Sequence, residues 1–167
     1  WLIGAGLVGA AFLLSNLRFG ARLRRSRRRV DAADAILPVY ESGAAVTPCL
    51  FGLLHPSIYL TPETLADAPA LRYSLAHEQT HYRHGDSIWA VLRGVCLALH
   101  WYNPLVWWAA ELSRRDAELA CDEATIRRLG EGERAAYGRT LLRMTCEKRP
   151  TLLVTATMMT DSGKGLR

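Results

Sequence analysis

An apolar run meets a block of arginine at the start of this sequence, and that junction limits what the chain can become. Trp1 to Leu14 holds no charge or strongly polar group, and Leu17 extends the run past Ser15 and Asn16. A membrane span needs roughly 20 apolar residues. The run is short for a complete one and reads as the end of one, in a chain that opens on Trp1 rather than Met, as a piece of something longer would. A secretory signal would carry its charges ahead of the apolar stretch, and here they come after it. A soluble amphipathic helix would show a 3.6-residue stripe, and none is present. Arg18, Arg22, Arg24, Arg25, Arg27, Arg28 and Arg29 come next. By the positive-inside rule they predict that the domain C-terminal to them lies in the cytoplasm. Residues 1–17 are therefore expected to be a transmembrane helix and 18–34 a basic juxtamembrane arm.

This arm accounts for the chain's charge. The formal net charge is +5, but without the seven arginines 14 Lys and Arg face 16 Asp and Glu, about −2. A nucleic-acid-binding surface would be built into the fold itself, so no direct nucleic-acid contact is expected. Cys49, Cys96, Cys121 and Cys146 show no CxxC spacing, which fits reduced thiols in the cytoplasm.

Beyond the arm, Ile36–Tyr40, Ala45–Leu50 and Ser57–Leu60 read as short strands, with Glu41-Ser42-Gly43 as a turn between the first two. Pro38 and Pro48 suit strand ends or edges, and a small antiparallel sheet is expected. Thr61-Pro62-Glu63 opens a helix. A second helix runs from about Pro69 to His84, with Gly85 as its C-terminal stop and Leu71, Leu75 and Ala76 toward the core. Asp86 or Ser87 can cap the next, roughly Ile88 to His100, an apolar run interrupted only by Arg93. It reads as buried or membrane-apposed. Asn103 and Pro104 restart the chain as a long helix to about Leu129. Trp101, Tyr102, Trp107 and Trp108 cluster at that corner, as suits either a membrane interface or core packing. Glu133 to Cys146 forms a last helix, stopped by Pro150. The expected class is α+β, mainly helical, with residues 35–150 as the folded domain and 151–167 as a mobile tail or linker to a downstream segment.

The reason for expecting a peptidase is His77-Glu78-Gln79-Thr80-His81, the HExxH pattern. Positions i and i+4 share a helix face, so both imidazoles can reach one metal ion. Zinc suits them, because it accepts imidazole nitrogens and lowers the pKa of bound water. Glu78, one residue on, is placed to act as general base. A catalytic zinc normally takes three protein ligands. His84 sits at the helix end and points away. His55 is expected in a loop, and Cys121 is a candidate fourth ligand that more readily reads as a buried thiol. Glu118 and Asp122, one turn apart on the long helix, fit better: Glu118 as the third ligand, Asp122 holding the outer N–H of a ligating histidine. Taken alone, that pair would read as a charged surface face offset by Arg114 and Arg115. A peptidase must also hold its substrate extended, and strand addition does this. Ser57–Leu60 is the first candidate edge and Ala45–Leu50 the second.

Pro48-Cys49-Leu50-Phe51-Gly52, Pro56–Leu60, His77–His81, His100-Trp101-Tyr102-Asn103-Pro104-Leu105 and Glu118–Asp122 together resemble the membrane-embedded metallopeptidase domain of the BlaR/MecR antirepressor family. The resemblance covers roughly the whole chain. It implies a cytoplasmic-side domain among transmembrane helices, with His77, His81 and Glu118 as ligands and Glu78 as catalyst. It further implies cleavage of a transcriptional repressor, often with self-cleavage. These residues contain no penicillin-binding sensor, so nothing concerning β-lactams is implied. The expected function is a membrane-anchored zinc endopeptidase with a protein substrate. The alternatives are a housekeeping membrane zinc protease, or a receptor or relay module with a structural metal site. An intact Glu78 favours catalysis, because a structural site needs no general base.

Overall fold

The computed structural model describes residues 1–145 and 157–158. Its helices are α1 (Leu2–Arg25), α2 (Pro62–Ala66), α3 (Ala68–His84), α4 (Asp86–Leu99), α5 (Pro104–Leu129) and α6 (Arg134–Thr145), the last preceded by a 3₁₀ turn at Glu131–Glu133. Five strands, β1 (Arg27–Val30), β2 (Val39–Ser42), β3 (Cys49–Phe51), β4 (Ser57–Leu60) and β5 (Thr157–Met158), lie in the order β1-β2-β4-β3-β5. The α+β, mainly helical class is as the sequence predicts. The sheet is small but mixed rather than antiparallel throughout, because β2 and β4 pair in parallel with Val39 opposite Ile58. The remaining pairs are antiparallel.

Strand alternation divides the core into two layers. Val39, Leu50, Ile58 and Leu60 face Leu75 of α3. Their neighbours Cys49 and Tyr59 face the other way and pack with Ala45 and Leu23, near the C-terminal end of α1. Successive side chains on a strand point to opposite faces. β4 is therefore buried along its whole length. A third cluster, Tyr73, Ile126 and Tyr137, joins α3, α5 and α6.

Three expectations need correction. Residues 18–34 do not form a separate arm: α1 continues through Arg25, and Arg27–Val30 pairs with Val39–Ser42. Arg27 lies 4.8 Å over the Tyr40 ring, and ladder bonds stabilise a strand whose three arginine side chains remain exposed. Glu41 and Ser42 belong to β2 rather than to a turn. Glu41 stays extended because it pairs with Arg28 on one side and Leu60 on the other. The expected mobile tail lies mostly outside the described residues, but its Thr157–Met158 pairs with β3.

The helix boundaries follow their caps. Thr61 Oγ1 accepts the Thr64 N–H at 3.2 Å. Asn103 Oδ1 accepts that of Leu105 at 3.0 Å. Gly85, at φ 70° in the left-handed region, closes α3 and bends the chain directly into α4. Leu2–Arg25 is the one helix among the described residues long and apolar enough to cross a membrane.

Candidate metal centre

α3 is buried along the whole of its HExxH segment, from His77 to His81. α5 packs beside it: Thr125 donates to Thr80 at 3.1 Å, and the Cys121 thiol to the His77 carbonyl at 3.4 Å. This pairing places α5 side chains against the two imidazoles. The Nε2 atoms of His77 and His81 stand 2.9 Å apart. Glu118 Oε2 lies 3.8 Å from each of them. Three donor atoms from two helices thus converge on one point.

The outer ring nitrogens are held separately. His77 Nδ1 lies 2.7 Å from the Tyr137 hydroxyl and 3.2 Å from Asp122 Oδ1. Tyr137 donates to that same carboxylate oxygen at 2.7 Å. Its hydroxyl is then free to accept from His77, which puts the proton on Nδ1 and the lone pair on Nε2. His81 Nδ1 meets Asp86 Oδ2 at 2.6 Å, with the same consequence. Two imidazole lone pairs facing each other at this distance repel unless a positive charge sits between them.

The surrounding electrostatics favour a cation as well. Glu78 is fully buried, Glu118 and Asp86 nearly so, and Asp122 lies at the margin. Burying carboxylates together is costly without a compensating charge. Desolvation raises the Glu78 pKa above its usual range, although the Leu50 backbone N–H and both histidines oppose that rise. Burial disfavours an imidazolium at His77, but hydrogen bonds to Asp122, Cys121 and Glu118 outweigh it and hold the pKa well above the ordinary value. At His81 burial and the neighbouring His77 act downward, yet Asp86 and Cys121 bring the result to about 10. A site that attracts protons this strongly is built for a positive charge.

Cys121 Sγ also falls within 4.8 Å of ligand atoms on both histidines. On His77 it meets Nδ1, at 3.7 Å, on the outer side of the ring, and it also hydrogen-bonds His81. Glu118 Oε2 faces the inner Nε2 of both rings. His84 and His55 are exposed and take no part in this buried centre.

Sequence reasoning misses two participants. The position of Asp86 suggests a helix cap, but α4 has no side-chain cap bond, and the carboxylate turns back to His81 instead. The signal available is its place immediately after Gly85, where a tight corner returns the chain toward α3. Tyr137, 60 positions from His77, leaves no spacing signal. The candidate substrate strand also changes. β4 is internal to the sheet, with β2 and β3 on its sides. β3 lies further out, beside Glu78, and pairs on its other side with Thr157–Met158.

The whole chain, residues 1–167, matches the family described as BlaR1 peptidase M56. It is similar to the regulatory protein BlaR1 of Bacillus licheniformis, with 23% identity covering 100% of this chain and 30% of that protein. It is also similar to the methicillin resistance mecR1 proteins of Staphylococcus aureus and Staphylococcus epidermidis, each at 29% identity over 81% of this chain and 23% of theirs. The chain spans less than a third of the length of these relatives. A family match along the entire sequence, joined to a buried two-helix donor set, identifies the chain as a member of the BlaR1 peptidase M56 family, a group of membrane metallopeptidase-type regulators.

Proposed function

We propose that this chain is the catalytic part of a membrane-anchored zinc endopeptidase of the gluzincin type, which cuts a cytoplasmic protein, a transcriptional repressor in the first instance. The observation that carries this reading is the convergence of His77 Nε2, His81 Nε2 and Glu118 Oε2 beside a buried Glu78. Two imidazoles and a carboxylate form a donor set that suits zinc, and they would hold it here. When bound, such an ion supplies Lewis-acid polarisation of the scissile carbonyl and lowers the pKa of water.

The chain's own residues do the rest. Asp122 with Tyr137, and Asp86, fix the two imidazoles with Nε2 turned inward. Glu78 takes a proton from the attacking water and returns it to the departing amine. Its raised pKa suits that exchange better than an ordinary carboxylate would. An extended substrate is best aligned along β3, next to Glu78, on the side where Thr157–Met158 pairs here, so it would take that segment's place in the sheet. A regulatory role is supported by the name of the BlaR1 relative, a regulatory protein, and the repressor as substrate rests on the resemblance to the antirepressor family.

The test is metal-dependent hydrolysis of a candidate repressor by the purified chain. Glu78→Gln should abolish turnover while retaining about one zinc per chain, whereas His81→Ala should lose the zinc. Full zinc retention in both His81→Ala and Glu118→Ala would defeat the ligand assignment. Unchanged hydrolysis in Glu78→Gln would defeat the catalytic one.

A further inference from the structure

Apart from α1, exposed apolar surface is concentrated on α4 and the first turns of α5. On α4, Ile88, Leu92, Val95 and Leu99 form one exposed stripe, with Trp89 beside it. On α5, Leu105, Trp108 and Leu112 continue that surface, Leu105 at 66% and Trp108 at 64% exposure. α4 has 14 residues, about 21 Å of helix, too short to cross a hydrocarbon core of about 30 Å.

Its register against α1 places it at membrane depth nonetheless. A side chain at Gly4 would run into Trp101, Gly9 faces Ala98, and Phe12 lies against Gly94. α4 is therefore antiparallel to α1, and continuing the register brings Ile88 level with Arg18. The stripe begins at the first arginine and ends beside Trp1.

The polar groups at this end are also managed as a water-poor setting requires. Trp1 Nε1 donates to the Leu99 carbonyl at 3.1 Å, Trp107 Nε1 to that of Trp101 at 3.0 Å, and Trp101 Nε1 to that of Trp1 at 3.3 Å. Two of these indoles satisfy carbonyls of the α4–α5 turn, those of Leu99 and Trp101, as irregular backbone at membrane depth demands, and the third ties the turn to Trp1 at the start of α1. The one charged residue between Ile88 and Leu99 is Arg93. It is half-buried and turns toward Ser113 of α5, 3.4 Å away. Glu111, the first acid on α5, is bound by Arg114 and Arg115, each at 2.8 Å.

We propose that α4 and the first turns of α5 form a re-entrant hairpin in the bilayer, with Ile88, Leu92, Val95, Leu105 and Trp108 against lipid acyl chains. Both ends of the hairpin lie on the arginine side, and its aromatic tip reaches toward the opposite headgroups. Asp86 at its base then sets the metal centre at the membrane rim. The proposal rests on α1 as a span and not on peptidase activity.

Cys96 on α4 is exposed, whereas Cys49 and Cys121 are buried, so the native chain supplies its own probe. In Cys146→Ser chain reconstituted in phosphatidylcholine–phosphatidylglycerol vesicles, a nitroxide on Cys96 should relax several-fold more with oxygen than with a water-soluble nickel chelate. A label at Arg127→Cys, in a background with Cys96→Ala and Cys146→Ser, should show the reverse. Leu92→Cys in that background repeats the first measurement at a second site. Access of nickel to Cys96 and Leu92→Cys would mean a water-facing helix, and shielding from both reagents would mean a protein neighbour. Either outcome overturns the proposal, and neither readout depends on zinc or on cleavage.

Discussion

His77 and His81 are held from behind by different chemistry, and the difference has measurable consequences. When Asp122 is lost, His77 keeps the Tyr137 hydroxyl. His81, among the described residues, has Asp86 at Nδ1 and no comparable second partner there. Removing such a partner typically costs about 10–100-fold in metal affinity. Asp86→Asn should fall toward the upper end and Asp122→Asn toward the lower, read by competition with a chromophoric zinc chelator. Equal affinities in wild type and both variants would show that the carboxylates do not support the ligands. The sequence reveals these two residues unequally. Asp122 sits one turn after Glu118, so helical spacing alone brings it to the site. Asp86 comes after a helix stop, where an acid ordinarily serves as a cap, and that commoner use hides the actual one. Tyr137 becomes legible only once α6 is folded against α3.

At the scale of elements, helices are readable because their ends carry local chemistry. Thr61-Pro62, Asn103-Pro104 and Gly85 each act within a few residues. The strands are readable only where burial imposes a pattern. Ser57–Leu60, buried on both faces, stands where the sequence indicates. Arg27–Val30 has no apolar alternation and becomes a strand through its partner β2, a long-range cause that no local window contains. Parallel pairing of β2 with β4 is hidden for the same reason. Gly85 offers a direct test of how an element boundary serves the site. Its φ of 70° is unfavourable for alanine by about 1–2 kcal/mol. Gly85→Ala should lower the unfolding free energy by about that amount, and it should also weaken zinc binding by displacing Asp86. Stability loss with unchanged affinity would separate the turn from the metal centre.

For the whole molecule, the concentration of buried carboxylates around two imidazoles ties stability to the cation. A ligand that binds only the folded state stabilises it by mass action. Chelation should therefore lower the Tm of the purified chain, and Glu78→Gln should soften the effect by removing one buried charge. A Tm indifferent to chelator would contradict a site that needs positive charge. Orientation is testable in intact cells: Ser26→Cys, beside the exposed arginines, should resist a membrane-impermeant thiol reagent added from outside if that end is cytoplasmic. The last turns of α1 also bear on anyone wishing to work in water. Leu23 is fully buried, and Phe19 meets the Phe51 ring edge-on at 5.4 Å. Trimming the chain at residue 27 to discard its greasy start would strip one side of the sheet and bare Cys49, Ala45 and Tyr59. The trimmed product should aggregate rather than dissolve, and a soluble derivative would instead keep Phe19–Arg25 and replace both the lipid-facing leucines ahead of it and the exposed apolar side chains of α4 and the start of α5.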